Sequence, residues 1–146
     1  MKNLKCANIV GHIDSFVLEG QLIIIMELCE YGDLLSQIDI VRKAGKNFNE
    51  TEILICIAHS CRALAIADQW NVVHCDIKPD NILVKERGVL KIADFGLSTV
   101  LVNEDAANRT AGTLIYMSPE TLEGQISHKS DIWSLGSTIH EACCLK

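Results

Sequence analysis

His74-Cys75-Asp76-Ile77-Lys78-Pro79-Asp80-Asn81 sets acid, base and amide side chains within one short stretch, and Asp94-Phe95-Gly96 follows thirteen positions after Asn81. Asp76 stands two residues before Lys78, five before Asn81 and eighteen before Asp94. That order and spacing suit phosphoryl transfer: one carboxylate to orient a hydroxyl, a carboxamide and a second carboxylate to hold magnesium, and an ammonium beside the moving phosphate. Asp76 is the candidate for the orienting carboxylate and Lys78 for the charge-neutralising group. Asn81 and Asp94 offer the oxygen ligands that a hard cation prefers. Taken singly, each of these residues could be an ordinary turn former; their shared spacing is what favours chemistry.

The elements that must position these groups can be read from the flanking pattern. Phe16-Val17-Leu18 and Leu22 to Met26 surround Glu19-Gly20-Gln21, which reads as a hairpin whose second strand is buried on both faces. Gly32-Asp33 ends it and leads into a short helix through about Val41. Asn49 with Glu52 three positions on forms a capping box, and Ile53, Leu54, Ile57, Ala58, Cys61, Leu64 and Ala65 mark the helical face expected in the core. Asn71-Val72-Val73 reads as a short strand before the reactive loop. Ile82 to Val84 and Val89 to Ala93 flank Lys85-Glu86-Arg87-Gly88 as a second hairpin, which joins the two ligand-bearing segments. Ser98 to Ser118 is polar and aperiodic, so a long, mobile surface segment is expected. Helical spacing resumes over Asp131 to Leu145 through Ile132, Leu135, Ile139 and Ala142.

Composition narrows the class. The 146 residues suffice for one domain with a core, and 49% apolar content is high enough that some apolar surface is expected to remain uncovered. A formal charge of -6 argues against nucleic acid as a partner, because binding phosphates needs a lysine and arginine excess. No apolar run is long enough to span a bilayer and the first residues lack a secretory pattern, so the reading is an intracellular, cytoplasmic protein without membrane contact. Seven cysteines without a C-x-x-C pair argue against zinc and against a closed disulfide framework; reduced, mostly buried thiols are expected.

With both motifs in place, the chain resembles a eukaryotic protein kinase catalytic domain from about Leu4 to its last residue. Tyr116-Met117-Ser118-Pro119-Glu120 resembles the end of an activation segment, and Lys129-Ser130-Asp131-Ile132-Trp133-Ser134-Leu135-Gly136 resembles the central helix of the large lobe. Met26-Glu27-Leu28-Cys29-Glu30-Tyr31-Gly32-Asp33-Leu34 is similar to NIMA-related serine/threonine kinases, and Lys78 with Gly112-Thr113 is the serine/threonine pattern. Pro79, Phe95-Gly96 and Ser118-Pro119-Glu120 count against small-molecule phosphotransferases.

The resemblance implies an α+β, protein-kinase-like fold that is partial, with 1–32 as a remnant of the small lobe and hinge and 33–146 as the large lobe through its central helix. It implies ATP and magnesium as cofactors and a protein serine or threonine hydroxyl as acceptor. Leu83 would floor the adenine, the backbones of Glu27 and Cys29 would meet its edge, and Met26 would sit behind it. His74 and Phe95, ahead of Gly96, would stack to keep Asp94 aligned, and Asp131 would accept hydrogen bonds from the catalytic-loop backbone.

Thr110 matches a phosphorylation site of relatives and Thr113 the threonine near the catalytic loop. Cys75 stands where many kinases carry an arginine that clamps such a phosphate, so phosphorylation at Thr110 is expected to matter less here. The glycine-rich loop and its strand lysine have no counterpart in these residues, so the chain alone is expected to transfer phosphate poorly or not at all. The rival expectation is a truncated, non-catalytic kinase-like protein that binds nucleotide or a partner covering its exposed apolar faces.

Overall fold

The computed structural model describes residues 6–100 and 112–145. Its strands are β1 (His12–Leu18), β2 (Gln21–Met26), β3 (Val72–Val73), β4 (Ile82–Lys85), β5 (Val89–Ile92) and β6 (Thr99–Val100). Its helices are α1 (Leu34–Lys43), α2 (Glu50–Gln69), α3 (Pro119–Leu122) and α4 (His128–Cys144). The strands form three antiparallel pairs, β1–β2, β3–β6 and β4–β5, beside these helices, an α+β arrangement consistent with a partial kinase-like fold.

Local chemistry sets the helix starts. Asp33 accepts from the Ser36 N–H and begins α1, whose last turn carries Arg42 and Lys43 where the helix dipole favours cations. Asn49 and Glu52 exchange both capping-box bonds at the start of α2. α4 begins three residues earlier than periodicity suggested, because Ser127 caps it and Ser130 bonds back to the Ser127 N–H.

β4 and β5 form the hairpin that joins the two motif segments, and alternation sorts their side chains. Ile82 opposes Ile92 and Val84 opposes Leu90 on the face that meets the core with α2, while Leu83 opposes Lys91 on the other face. The connection turns through Arg87 and Gly88, both at positive φ. Two further segments widen this hairpin. Asn8 to Val10 runs parallel to β5, with Ile92 N–H donating to the Asn8 carbonyl and Val10 N–H to the Ile92 carbonyl. On the other edge Tyr31 N–H donates to Val84 O, and Val84 N–H to Gly32 O.

Several expectations are corrected. β2 is not buried on both faces: Leu22 is 66% exposed, and Ile24, Ile25 and Met26 are exposed too, since the β1–β2 ribbon pairs with itself and little else described covers it. The core face of α2 is Cys56, Ser60, Ala63, Leu64 and Ala67 rather than the stripe containing Leu54, Ala58, Cys61 and Ala65. That helix is apolar on nearly every side, so its small residues decide which side lets β5 and α4 approach closely. Among the cysteines only Cys56 is fully buried, and burial pushes its thiol up to about 11; Cys61, Cys143 and Cys144 are exposed, and no disulfide forms among the described residues. On α4, Leu135 is buried and Ile139 partly so, whereas Ile132 and Trp133 are the exposed apolar residues.

Tyr116 and Ser118 are buried as well, so the segment from Ser98 to Ser118 is not surface throughout. Ser134 Oγ donates to the Tyr116 carbonyl at 2.8 Å, tying this stretch to α4. Among the described residues no helix is long and apolar enough to cross a membrane.

Candidate active site

The loop between β3 and β4 is suspended from α4 by one side chain. Asp131, 3% exposed, accepts from the His74 N–H at 2.8 Å with Oδ2 and from the Cys75 N–H at 2.9 Å with Oδ1. Two successive N–H groups can converge on one carboxylate because Cys75 is left-handed, at φ 70. Burial pushes the Asp131 carboxyl above its usual range, and the two N–H donors oppose that rise.

His74 locks the loop to the second motif. Its Nε2 lies 2.8 Å from the Ala93 carbonyl, and its Nδ1 accepts from the Asp76 N–H at 3.2 Å. Only the neutral ring with its proton on Nε2 can make both bonds. Burial holds its pKa below the ordinary histidine range in keeping with that state. The Phe95 ring packs edge-on against the imidazole with centroids 4.6 Å apart.

Asp76 is ringed by donors. Oδ1 accepts from Thr113 N–H at 2.9 Å and Thr113 Oγ1–H at 2.8 Å, and Oδ2 accepts from Asn81 Nδ2 at 3.0 Å. Lys78 Nζ lies 3.2 Å from Oδ2 and donates to Thr113 Oγ1 at 2.9 Å, so lysine, threonine and aspartate form a chain of donors ending on the carboxylate. Burial pushes the Asp76 carboxyl up, but the Thr113 and Lys78 donors outweigh it and hold the group below the usual carboxylate range. Thr113 reaches this position because Gly112 presses against the loop. A Cβ at Gly112 would lie 2.1 Å from the Cys75 carbonyl oxygen, so no other residue fits there.

Asn81 and Asp94 are brought together by the β4–β5 pairing. Asn81 spends its Nδ2 on the Asp76 carbonyl at 2.8 Å and on Oδ2, which turns its amide oxygen the other way. The Asn81 carbonyl accepts from Ala93 N–H, the residue before Asp94. Asp94 is exposed, left-handed at φ 56, and accepts from the Gly96 N–H at 3.1 Å. A Cβ on Gly96 would meet that same Oδ1 at 2.8 Å, so glycine keeps the carboxylate seated. An amide oxygen and an accessible carboxylate on adjoining loops fit a small hard cation that takes its other ligands from phosphate and water.

On the far side of β4, Met26 ends β2 and is exposed, while Cys29 and Leu83 are half-buried. Glu27 carries an arrangement that its reading as a backbone contact did not anticipate. Its carboxylate meets Lys85 Nζ at 2.5 Å and Lys91 Nζ at 2.9 Å and accepts from Gly11 N–H at 3.1 Å. Burial works against the charge, but the two lysines prevail and pull this carboxyl down to about 2. Lys91 within the apolar run of β5 was the available signal, because a lysine inside such a strand needs a partner. Thr110 lies outside the described residues.

The sequence matches the protein kinase domain family over residues 1–146, so the chain belongs to the protein kinase family. It is similar to probable serine/threonine-protein kinase nek3 of Dictyostelium discoideum, at 39% identity over 95% of this chain and 13% of that protein. It is 38% identical to serine/threonine-protein kinase Nek1 of Mus musculus over 100% of this chain and 12% of that protein. With serine/threonine-protein kinase nekl-2 of Caenorhabditis elegans it shares 38% identity, over 97% of this chain and 42% of the relative. The chain thus spans less than half the length of each of these relatives.

Proposed function

We propose that these residues form the catalytic loop and metal-binding loop of a serine/threonine protein kinase that moves the terminal phosphate of ATP to a protein hydroxyl. The observation that carries this reading is the donor ring on Asp76. A carboxylate held ionised by Thr113, Lys78 and Asn81 is a weak base with a fixed direction. It suits orienting a hydroxyl toward a phosphorus better than removing its proton early. Lys78, already 3.2 Å from that carboxylate, stands where charge on the transferred group can be neutralised. Asn81 and Asp94 would hold magnesium, which supplies charge neutralisation between the phosphates. Leu83 and the backbone of 27–29 would receive the adenine.

The gene product carrying these residues, given ATP labelled on its terminal phosphate and a generic protein substrate, should yield phosphoserine or phosphothreonine and no phosphotyrosine. Asp76→Asn should lower turnover at least about a hundredfold, the usual worth of a positioned acid–base group. Turnover retained by that variant, or none in the parent protein, would refute the assignment; binding of nucleotide without transfer would favour a non-catalytic role.

A further inference from the structure

The stretch from Glu27 to Gly32 is fixed at two places. At its far end, Tyr31 N–H and Gly32 O bond to Val84 on β4. At its near end, Glu27 N–H donates to Gly11 O at 2.8 Å, while its carboxylate takes Lys85 at 2.5 Å, Lys91 at 2.9 Å and the Gly11 N–H. Only Leu28, Cys29 and Glu30 lie between the anchors.

The near anchor is built into the face that carries Leu83. Leu83 directly opposes Lys91 across the β4–β5 pair, and Lys85 follows Leu83 by two residues, so all three side chains leave the same side of the hairpin. Lys91 is 8% exposed, and its other contact is the Ile9 carbonyl at 3.4 Å. Among the described residues this nearly buried ammonium has one anionic partner, and that partner is the first residue of the bridge.

We propose that Glu27, clamped by Lys85 and Lys91, is a positioning residue for base selectivity: it sets the angle at which the backbone of residues 27–29 meets the edge of a purine on Leu83. The inference rests on the ATP-binding reading above and adds the groups that aim it. The chemistry makes adenine and guanine distinguishable at such an edge. Adenine presents an amino donor beside a ring-nitrogen acceptor, and guanine presents a carbonyl acceptor beside a ring N–H donor, so a fixed backbone donor and acceptor can satisfy only one of them. A backbone free to rotate would lose that discrimination, while phosphate groups held near Asp94, as proposed above, would be unaffected.

Calorimetric titration of the same gene product with magnesium ATP, magnesium GTP and magnesium tripolyphosphate separates base selectivity from phosphate affinity. The parent protein should prefer ATP to GTP. Glu27→Gln should reduce that preference about tenfold, the size of one misaligned hydrogen bond, with tripolyphosphate affinity unchanged within about twofold. Glu27→Asp, which keeps the charge, should recover most of the preference. Lys85→Met removes the more accessible partner and should reduce the preference about threefold; it decides the matter alone if Glu27→Gln does not fold. A parent protein with no preference overturns the ATP reading and this inference together. A preference that survives in the variants overturns the inference alone. Equal weakening toward ATP, GTP and tripolyphosphate also overturns it, since general loosening of the fold acts on all three.

Discussion

Replacing Asp131 by asparagine changes one oxygen to an NH2 group at the point from which the β3–β4 loop hangs. Two backbone donors converge on the carboxylate, His74 N–H at 2.8 Å and Cys75 N–H at 2.9 Å, and each such bond to an ionised acceptor is worth about 1.5–3 kcal/mol. Asparagine keeps one acceptor and faces the second donor with an N–H of its own. One bond is lost, and the backbone N–H and the amide NH2 that then face each other are both left without an acceptor. Against this stands relief of a buried charge: burial already pushes the Asp131 carboxyl above its usual range, a desolvation cost that a neutral amide does not carry. The net expectation is a loss of about 2–3 kcal/mol, or about 6–12 °C in Tm for a domain of this size. Asp131→Ala, which orphans both donors, should cost more, about 3–5 kcal/mol.

Urea unfolding followed by circular dichroism gives the global loss, and hydrogen exchange at the His74 and Cys75 amides gives its location. Asp131→Asn should accelerate exchange at these two amides beyond the acceleration elsewhere. A variant within about 0.5 kcal/mol of the parent, with both amides as protected as before, would show that Asp131 does not suspend the loop.

Two further outcomes follow from the same geometry. His74 is buried and neutral with its pKa held below the ordinary 6.5, so the unfolded chain takes up a proton first as pH falls. Its contribution is fully present above 6.5 and declines toward the lower folded value, by at most about 1.4 kcal/mol per pH unit; unfolding curves at pH 7 and 5.5 should show this loss in the parent and less of it in His74→Leu, where His59, also depressed by burial, still titrates. Gly112→Ala would bring a methyl 2.1 Å from the Cys75 oxygen, displacing Thr113 from Asp76; the expected cost is about 1–3 kcal/mol, with a fall in phosphotransfer that Thr113→Ala should reproduce in part.

Much of the site was legible because its parts are local in sequence or joined by a short hairpin. Asp76, Lys78 and Asn81 share one loop, and the short hairpin read from the sequence is the β4–β5 pair that sets Asn81 against Ala93, the residue before Asp94. The resemblance supplied the link from Asp131 to His74 and Cys75, which lies 56 residues away from Cys75 and leaves no periodic trace. The buried face of α2 was not legible, because an apolar surround gives no contrast and the choice fell to Cys56, Ser60, Ala63 and Ala67. The Glu27 clamp was hidden for another reason. Lys91 in an apolar strand signals that a partner is needed, but its identity emerges only when the register places Lys85 and Lys91 beside Leu83 and the returning chain brings the Glu27 carboxylate over them.

Ile92 is held on both its N–H and its carbonyl by Asn8 and Val10, the residues that lead into β1. Asp94 is only two residues further along the same backbone. Any displacement of the β1–β2 ribbon would be carried through these two peptide hydrogen bonds to the strand that ends two residues before Asp94.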